Sequence, residues 1–169
     1  MHGVIIISGP VGAGKSTVAS ELVPLLSGLV ACLEGDKFWP FIVKSEDRDQ
    51  RENFHLIMRS MTAATIPFVR SGFQVVLDFS IPPHFLIVVR KILKDLPLSY
   101  VILRPGEAVC ALRASRRKEG AIADYSKYSE FYRLFDEYPQ YQLSDDQADA
   151  ARIAGQVHEG LKRGKYRVP

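Results

Sequence analysis

Val4-Ile5-Ile6-Ile7-Ser8-Gly9-Pro10-Val11-Gly12-Ala13-Gly14-Lys15-Ser16-Thr17 is the stretch on which the reading of this chain turns. Four consecutive apolar residues are a strand buried on both faces. Gly9 to Ser16 then fit G-x-x-x-x-G-K-[ST], a glycine-rich loop that opens a helix and cradles phosphates. Such a turn aims backbone N–H groups at a polyphosphate, and the helix N-terminus adds partial positive charge. A Cβ would block that approach, which is why the loop is rich in glycine. Gly9, Pro10, Val11, Gly12, Ala13, Gly14, Lys15, Ser16 and Thr17 are therefore the expected nucleotide cradle. Lys15 is expected on the β- and γ-phosphates, the Ser16 hydroxyl on Mg²⁺, and Thr17 in a capping role.

Outward from this loop, apolar runs and helical patterns alternate. The runs Val4-Ile7, Leu29-Leu33, Gln74-Phe79, Leu98-Leu103 and Tyr141-Leu143 read as strands. Val18, Leu22, Leu25 and Leu26 have helical spacing, with Pro24 ending that helix early. Phe54, Ile57, Met58, Met61 and Thr65 share a helical face from Arg51 onward, interrupted at Pro67. Phe85-Leu96 and Glu107-Arg117 read as further helices, and Ser144 with Gln147 reads as a capping box for the last one, which leads into a basic tail, Lys162-Pro169. This alternation predicts an α/β fold, a parallel sheet with helices on both faces.

At 169 residues and 47% hydrophobic composition, the chain is expected to form one domain spanning 1–169. Twenty-two basic residues against 19 acidic ones leave a formal charge of +3, which argues against nucleic acid as the partner. No apolar run approaches the about 18 residues of a membrane span, and no secretory leader is evident. A cytoplasmic protein, monomer or homodimer, is expected. Cys32 and Cys110 are expected as buried, unpaired thiols. His2, His55, His84 and His158 lack metal-ligand spacing.

Ligands of open α/β sheets bind at the carboxyl ends of the strands, and two acids are expected there. Asp78 closes Val75-Val76-Leu77, the pattern of a carboxylate that holds Mg²⁺. Asp36 follows the second strand in Glu34-Gly35-Asp36, where Gly35 permits a tight turn and the carboxylate is positioned as general base. Arg113, Arg116 and Arg117 fall on one face of their helix and are expected to converge on a transferring phosphoryl group. Lys37-Phe38-Trp39-Pro40-Phe41-Ile42-Val43 is a candidate wall for an acceptor pocket, core packing of its aromatics being the alternative, with Arg48, Arg51, Arg59 and Arg70 flanking it. Tyr125, Tyr128, Phe131, Tyr132, Phe135, Tyr138 and Tyr141 are expected to pack in a core or lid rather than to stack on bases.

The GPVGAGKST loop, the Glu34-Gly35-Asp36 turn, the strand ending in Asp78 and the Arg113/Arg116/Arg117 helix together resemble the small P-loop kinases of the adenylate-kinase-like group, such as gluconate kinase, shikimate kinase and chloramphenicol phosphotransferase. That resemblance implies a P-loop NTPase fold with five parallel strands in the order 2-3-1-4-5. It implies an acceptor-binding region at about 37–70 and a small lid at about 116–128. It also implies ATP and Mg²⁺ as cofactors, Asp36 as base and Asp78 on the metal side, and γ-phosphoryl transfer to a hydroxyl of a small molecule. A nucleotide-binding or ATPase module without an acceptor, a nucleotide kinase holding an acceptor phosphate with Arg51 and Arg59, and a polynucleotide 5′-hydroxyl kinase are the alternatives. The D-x-D after strand two of shikimate kinases and the His-Phe pair of the gluconate kinase lid are absent here, since Asp36 precedes Lys37-Phe38 and Arg117 precedes Lys118-Glu119. The acceptor therefore stays open.

Overall fold

The computed structural model describes residues 2–118 and 120–169; Met1 and Glu119, the latter within the expected lid, lie outside the described residues. Five strands form one parallel sheet: β1 (Val4–Ser8), β2 (Val30–Glu34), β3 (Gln74–Asp78), β4 (Leu98–Leu103) and β5 (Gln142–Leu143). Their order is β2-β3-β1-β4-β5, as the resemblance implies. β1 is central and wholly buried, which its unbroken apolar run requires. Side chains alternate across the sheet. Val4 and Ile6 of β1, with Val75 and Leu77 of β3, point into one apolar layer, while Ile5, Ile7 and Val76 point into the other. β2 is the exception to the expected double burial: it is an edge strand, its side chains are half-buried or exposed, and Cys32 is exposed rather than buried.

One layer is closed by α2 (Gln50–Arg70) and α3 (Leu86–Leu93), through Met58, Met61, Val89 and Leu93. The other is closed by α1 (Lys15–Leu22) and α6 (Ala150–Lys162), through Val18, Leu22, Ala154 and Val157. α4 (Glu107–Ser115) follows β4, and a short α5 (Ser129–Arg133) precedes β5. Pro24 ends α1 as expected, giving way to a 3-10 turn at Val23–Leu25. Pro67 does not interrupt α2. It sits in the last turn, so its missing N–H removes a single ladder bond, while buried Thr65 and Val69 keep the helix on the core. The start of α2 is fixed by Asp49, whose carboxylate accepts from the Glu52 amide at 2.7 Å.

One further expectation is corrected. Asp149, not Ser144, caps α6, accepting from the Arg152 amide at 2.8 Å; the preceding turn is instead held by Asp145, which accepts from the Gln147 and Ala148 amides. The basic tail is docked on the fold. Tyr166 is buried, its carbonyl accepts from the Tyr100 amide, and the Arg90 guanidinium donates to the Val168 carbonyl at 2.7 Å. Among the described residues, no helix is long and apolar enough to cross a membrane.

The loop after β3 is pinned from beneath. The hydroxyls of Ser8 and Tyr100, both fully buried, donate to the Ile81 carbonyl at 2.7 and 2.6 Å. Burial pushes the Tyr100 hydroxyl up from its ordinary pKa, so it stays protonated and able to donate. Tyr100→Phe removes one of the two donors and keeps the ring. It is expected to cost about 1 kcal/mol of stability, seen as a lower urea midpoint at unchanged slope; an unchanged midpoint contradicts this role.

Candidate active site

The glycine loop is shaped by what lies behind it. Gly9 has φ +140°, and a Cβ there would lie 2.3 Å from the Leu103 carbonyl oxygen at the end of β4. Gly12 has φ +82°, and its Cβ would lie 2.2 Å from the Cys110 carbonyl oxygen in α4. Side chains at these two positions would collide with backbone, which cannot move aside. Gly14, also left-handed, leads into α1 without any side-chain cap on the first amides of that helix. The Tyr125 hydroxyl donates to the Val11 carbonyl at 2.6 Å, tying the far side of the expected lid to the loop.

A cavity of about 560 Å³ opens at the carboxyl ends of β1, β2 and β3. On the loop side it is lined by Val11, Gly12, Gly14, Lys15, Ser16 and Thr17. Asp78, Phe79 and Ser80 line it from the end of β3, and Glu34 and Asp36 from the end of β2. Arg113 and Arg117 complete it. Pairing of β2, β3 and β1 aligns Glu34 with Asp78 and Asp78 with Ile7, which is why the two strand-end acids meet the loop that follows β1.

Lys15 Nζ donates to the Pro10 carbonyl at 3.1 Å, folded over its own loop. Its pKa is lowered to about 8, chiefly by burial and further by Arg117, with Asp78 and Asp36 pulling the other way. The buried Asp78 carboxyl is pushed above its ordinary value by burial, opposed by a hydrogen bond from Ser16 and the charge of Lys15. Ser16 and Asp78 thus present paired hard oxygen donors. Among the described residues no cluster of three or more His, Cys, Asp or Glu could hold a metal, so an ion here would take its remaining ligands from phosphates and water, as Mg²⁺ does.

Several sequence expectations are corrected in detail. α4 ends at Ser115, so Arg113, Arg116 and Arg117 do not share one helical face. Arg113 lines the cavity from the helix, Arg117 reaches it because the chain has left the helix, and Arg116 does not line it. Gly9 and Pro10 shape the loop without lining the cavity, and Ala13 faces a second one. Asp36 lies in a 3-10 turn, Gly35–Phe41, and is exposed. Gly35 is needed for packing rather than for a turn, since its Cβ would lie 2.3 Å from the Phe79 ring. Arg48, Arg51, Arg59 and Arg70 are exposed and do not line the cavity, Arg48 pairing with Glu52 at 3.4 Å. The aromatic segment does not line the cavity and packs on the core instead: Trp39 stacks on Phe54, which meets Phe79 and Phe131 at 5.3 and 6.1 Å, and Phe41 is exposed.

Sequence reasoning missed Glu34, Phe79 and Ser80, although strand-end placement could have flagged all three. It also missed a second cavity of about 230 Å³ that shares Gly14, Thr17 and Arg113 with the first. Its other walls include Leu103, Leu143, Asp145 and Ala148. Asp146 helps hold this wall, accepting from the Gly106 amide at 2.8 Å.

No protein-family model matches the chain, and no curated protein matches it in sequence. Solved structures do match in fold. The tunicamycin resistance protein of Deinococcus radiodurans is 17% identical, with 100% of this chain and 99% of that one covered at a TM-score of 0.73. The APS kinase of Mycobacterium tuberculosis, in complex with AMPPNP and APS, is 17% identical over 95% and 98% of the two chains, TM-score 0.74. A gluconokinase from Sinorhizobium meliloti is 21% identical over 95% and 92%, TM-score 0.64. The chain has the fold of the small P-loop kinases.

A triphosphate bound at Lys15 would favour its ammonium form, whereas in the free protein burial lowers the pKa of that group to about 8. ATP binding at pH 9 is therefore expected to draw up to about one proton from solution. Calorimetry in buffers of different ionisation heat should detect this uptake, and Lys15→Met should abolish it. Equal uptake in both proteins contradicts the assignment.

Proposed function

We propose that the chain transfers the γ-phosphoryl group of ATP to a hydroxyl of a small molecule. The observation that carries this reading is that Lys15, Ser16, Asp78, Asp36, Arg113 and Arg117 line one cavity. The loop amides and the start of α1 would hold the β- and γ-phosphates. Lys15 would exchange the Pro10 carbonyl for those phosphates. Ser16 and Asp78 would hold Mg²⁺, which neutralises charge on the phosphates when bound. The base of the nucleotide would occupy the smaller cavity, between Leu103, Leu143 and Ala148, with Thr17 and Arg113 shared between the base and phosphate sites.

At the far end of the larger cavity, Asp36 would accept the proton of the acceptor hydroxyl as it attacks in line. Arg113 and Arg117 would stabilise charge on the transferring group. The segment at about 116–128 would act as the lid, carrying Arg117 in and excluding water, with Tyr125 as its anchor on the loop. An acid at the acceptor end favours this reading over a nucleotide-binding module without acceptor. Against a nucleotide kinase stands the exposure of Arg51 and Arg59 outside the cavity. A polynucleotide kinase would need aromatics free to stack, whereas Tyr125, Tyr132, Phe135 and Tyr141 are buried.

Lys15→Met is expected to abolish transfer of label from γ-labelled ATP to hydroxyl compounds while leaving the thermal transition in place. Asp36→Asn is expected to lower kcat by about 10²–10⁴ with ATP affinity retained. Full transfer by Lys15→Met, or a loss confined to ATP affinity in Asp36→Asn, contradicts these roles.

A further inference from the structure

Charge in the larger cavity is divided along the strand order β2-β3-β1-β4. Its three cations come from the loop after β1 and from α4 and the residues just beyond it: Lys15, Arg113, which also lines the second cavity, and Arg117. The acceptor end, among the described residues, presents two carboxylates, Glu34 and Asp36, with the Phe79 ring and Ser80, and no cation. Lys37, which pairs with Glu34 at 2.9 Å, is exposed and does not line the cavity. His55 packs its ring near Phe85, 5.6 Å away.

Once ATP occupies the three cations, a carboxylate or phosphate on the acceptor would meet only Glu34 and Asp36. Like charges placed together without a partner weaken binding by roughly 100-fold. A protonated amine, by contrast, finds Glu34, whose present partner Lys37 is a solvent-exposed side chain that an incoming amine can displace at little cost. The apolar part of such a molecule finds Phe79, backed by Phe54 and Trp39.

Resting on the phosphotransfer reading above, we infer that the acceptor is a hydroxyl compound free of acidic groups, bearing an amine that Glu34 recognises, and that molecules carrying a carboxylate or phosphate are rejected. Glu34 is then a specificity-determining residue, and Asp36 remains the base. The two adjacent acids divide the work: one selects the molecule and the other takes its proton.

The test is scaffold-independent. A library of hydroxyl compounds is separated by ion exchange into cationic, neutral and anionic pools at pH 7, and each is incubated with the full chain and γ-labelled ATP·Mg²⁺. Label is expected in the cationic pool first, in the neutral pool less, and at least about 10-fold less in the anionic pool. Glu34→Gln is expected to shrink the cationic-over-neutral ratio by about 10-fold through KM rather than kcat. Label chiefly in the anionic pool overturns the charge inference and leaves phosphotransfer standing. An unchanged cationic-over-neutral ratio in Glu34→Gln overturns the role of Glu34. Absence of acceptor-dependent label from every pool, with ATP binding intact by calorimetry, overturns the phosphotransfer reading and this inference with it.

Discussion

The site depends on two places where backbone meets backbone without a side chain between. Gly9 lies against the Leu103 carbonyl and Gly12 against the Cys110 carbonyl, each at a distance that any Cβ would violate. These contacts seat the loop on the end of β4 and the flank of α4, so the loop's position is set by the sheet rather than by its own sequence. The Tyr125 hydroxyl on the Val11 carbonyl adds a third fixed point. With the loop held this way, Gly14 begins α1 with no side-chain cap on its first amides.

The rest of the cavity follows from strand order. Placing β1 between β3 and β4, and β3 between β2 and β1, brings the ends of three strands to one point. Each end carries something different: the loop after β1, Asp78 closing β3, and Glu34 with Asp36 beyond β2. The Ser8 and Tyr100 hydroxyls hold the Ile81 carbonyl from below, so the Phe79-Ser80 turn that lines the cavity is fixed by buried hydrogen bonds. Burial of Lys15 and Asp78 in this environment disfavours both charges, and each is the other's partial compensation. A nucleotide with its metal ion would relieve both at once, which is a physical reason for the site to be strained toward binding.

What could be read from the chain beforehand follows the range of the interactions involved. The unbroken apolar run of β1, the glycine loop and the acid ending β3 are local patterns, and each is where the sequence places it. The strand order rested on resemblance, since nothing within β2 or β5 names its neighbour. Local competition hid several details. Asp149 replaces Ser144 as the cap of α6, and α4 stops at Ser115 without a glycine or proline at its end, so Arg116 and Arg117 part ways. The second cavity was illegible because it is assembled from separate segments, among them Ala13, Leu103, Arg113, Leu143 and Ala148, none of which carries a signal alone. Glu34 reads from the sequence only as part of the turn after strand two, whereas it ends β2 and pairs with Asp78 beside the cavity.

The central claim is that the two cavities form one nucleotide site whose γ-phosphoryl end faces Asp36. A crystal structure of the chain with AMPPNP and Mg²⁺ tests it most directly. The account predicts the base between Leu143 and Ala148, the phosphates on the amides of residues 12–17 with Lys15 turned from the Pro10 carbonyl onto them, the metal against Ser16 and Asp78, and Arg113 or Arg117 in contact with the γ-phosphate beside Asp36. A nucleotide bound elsewhere, or bound here with its γ-phosphate directed away from Asp36, would contradict it.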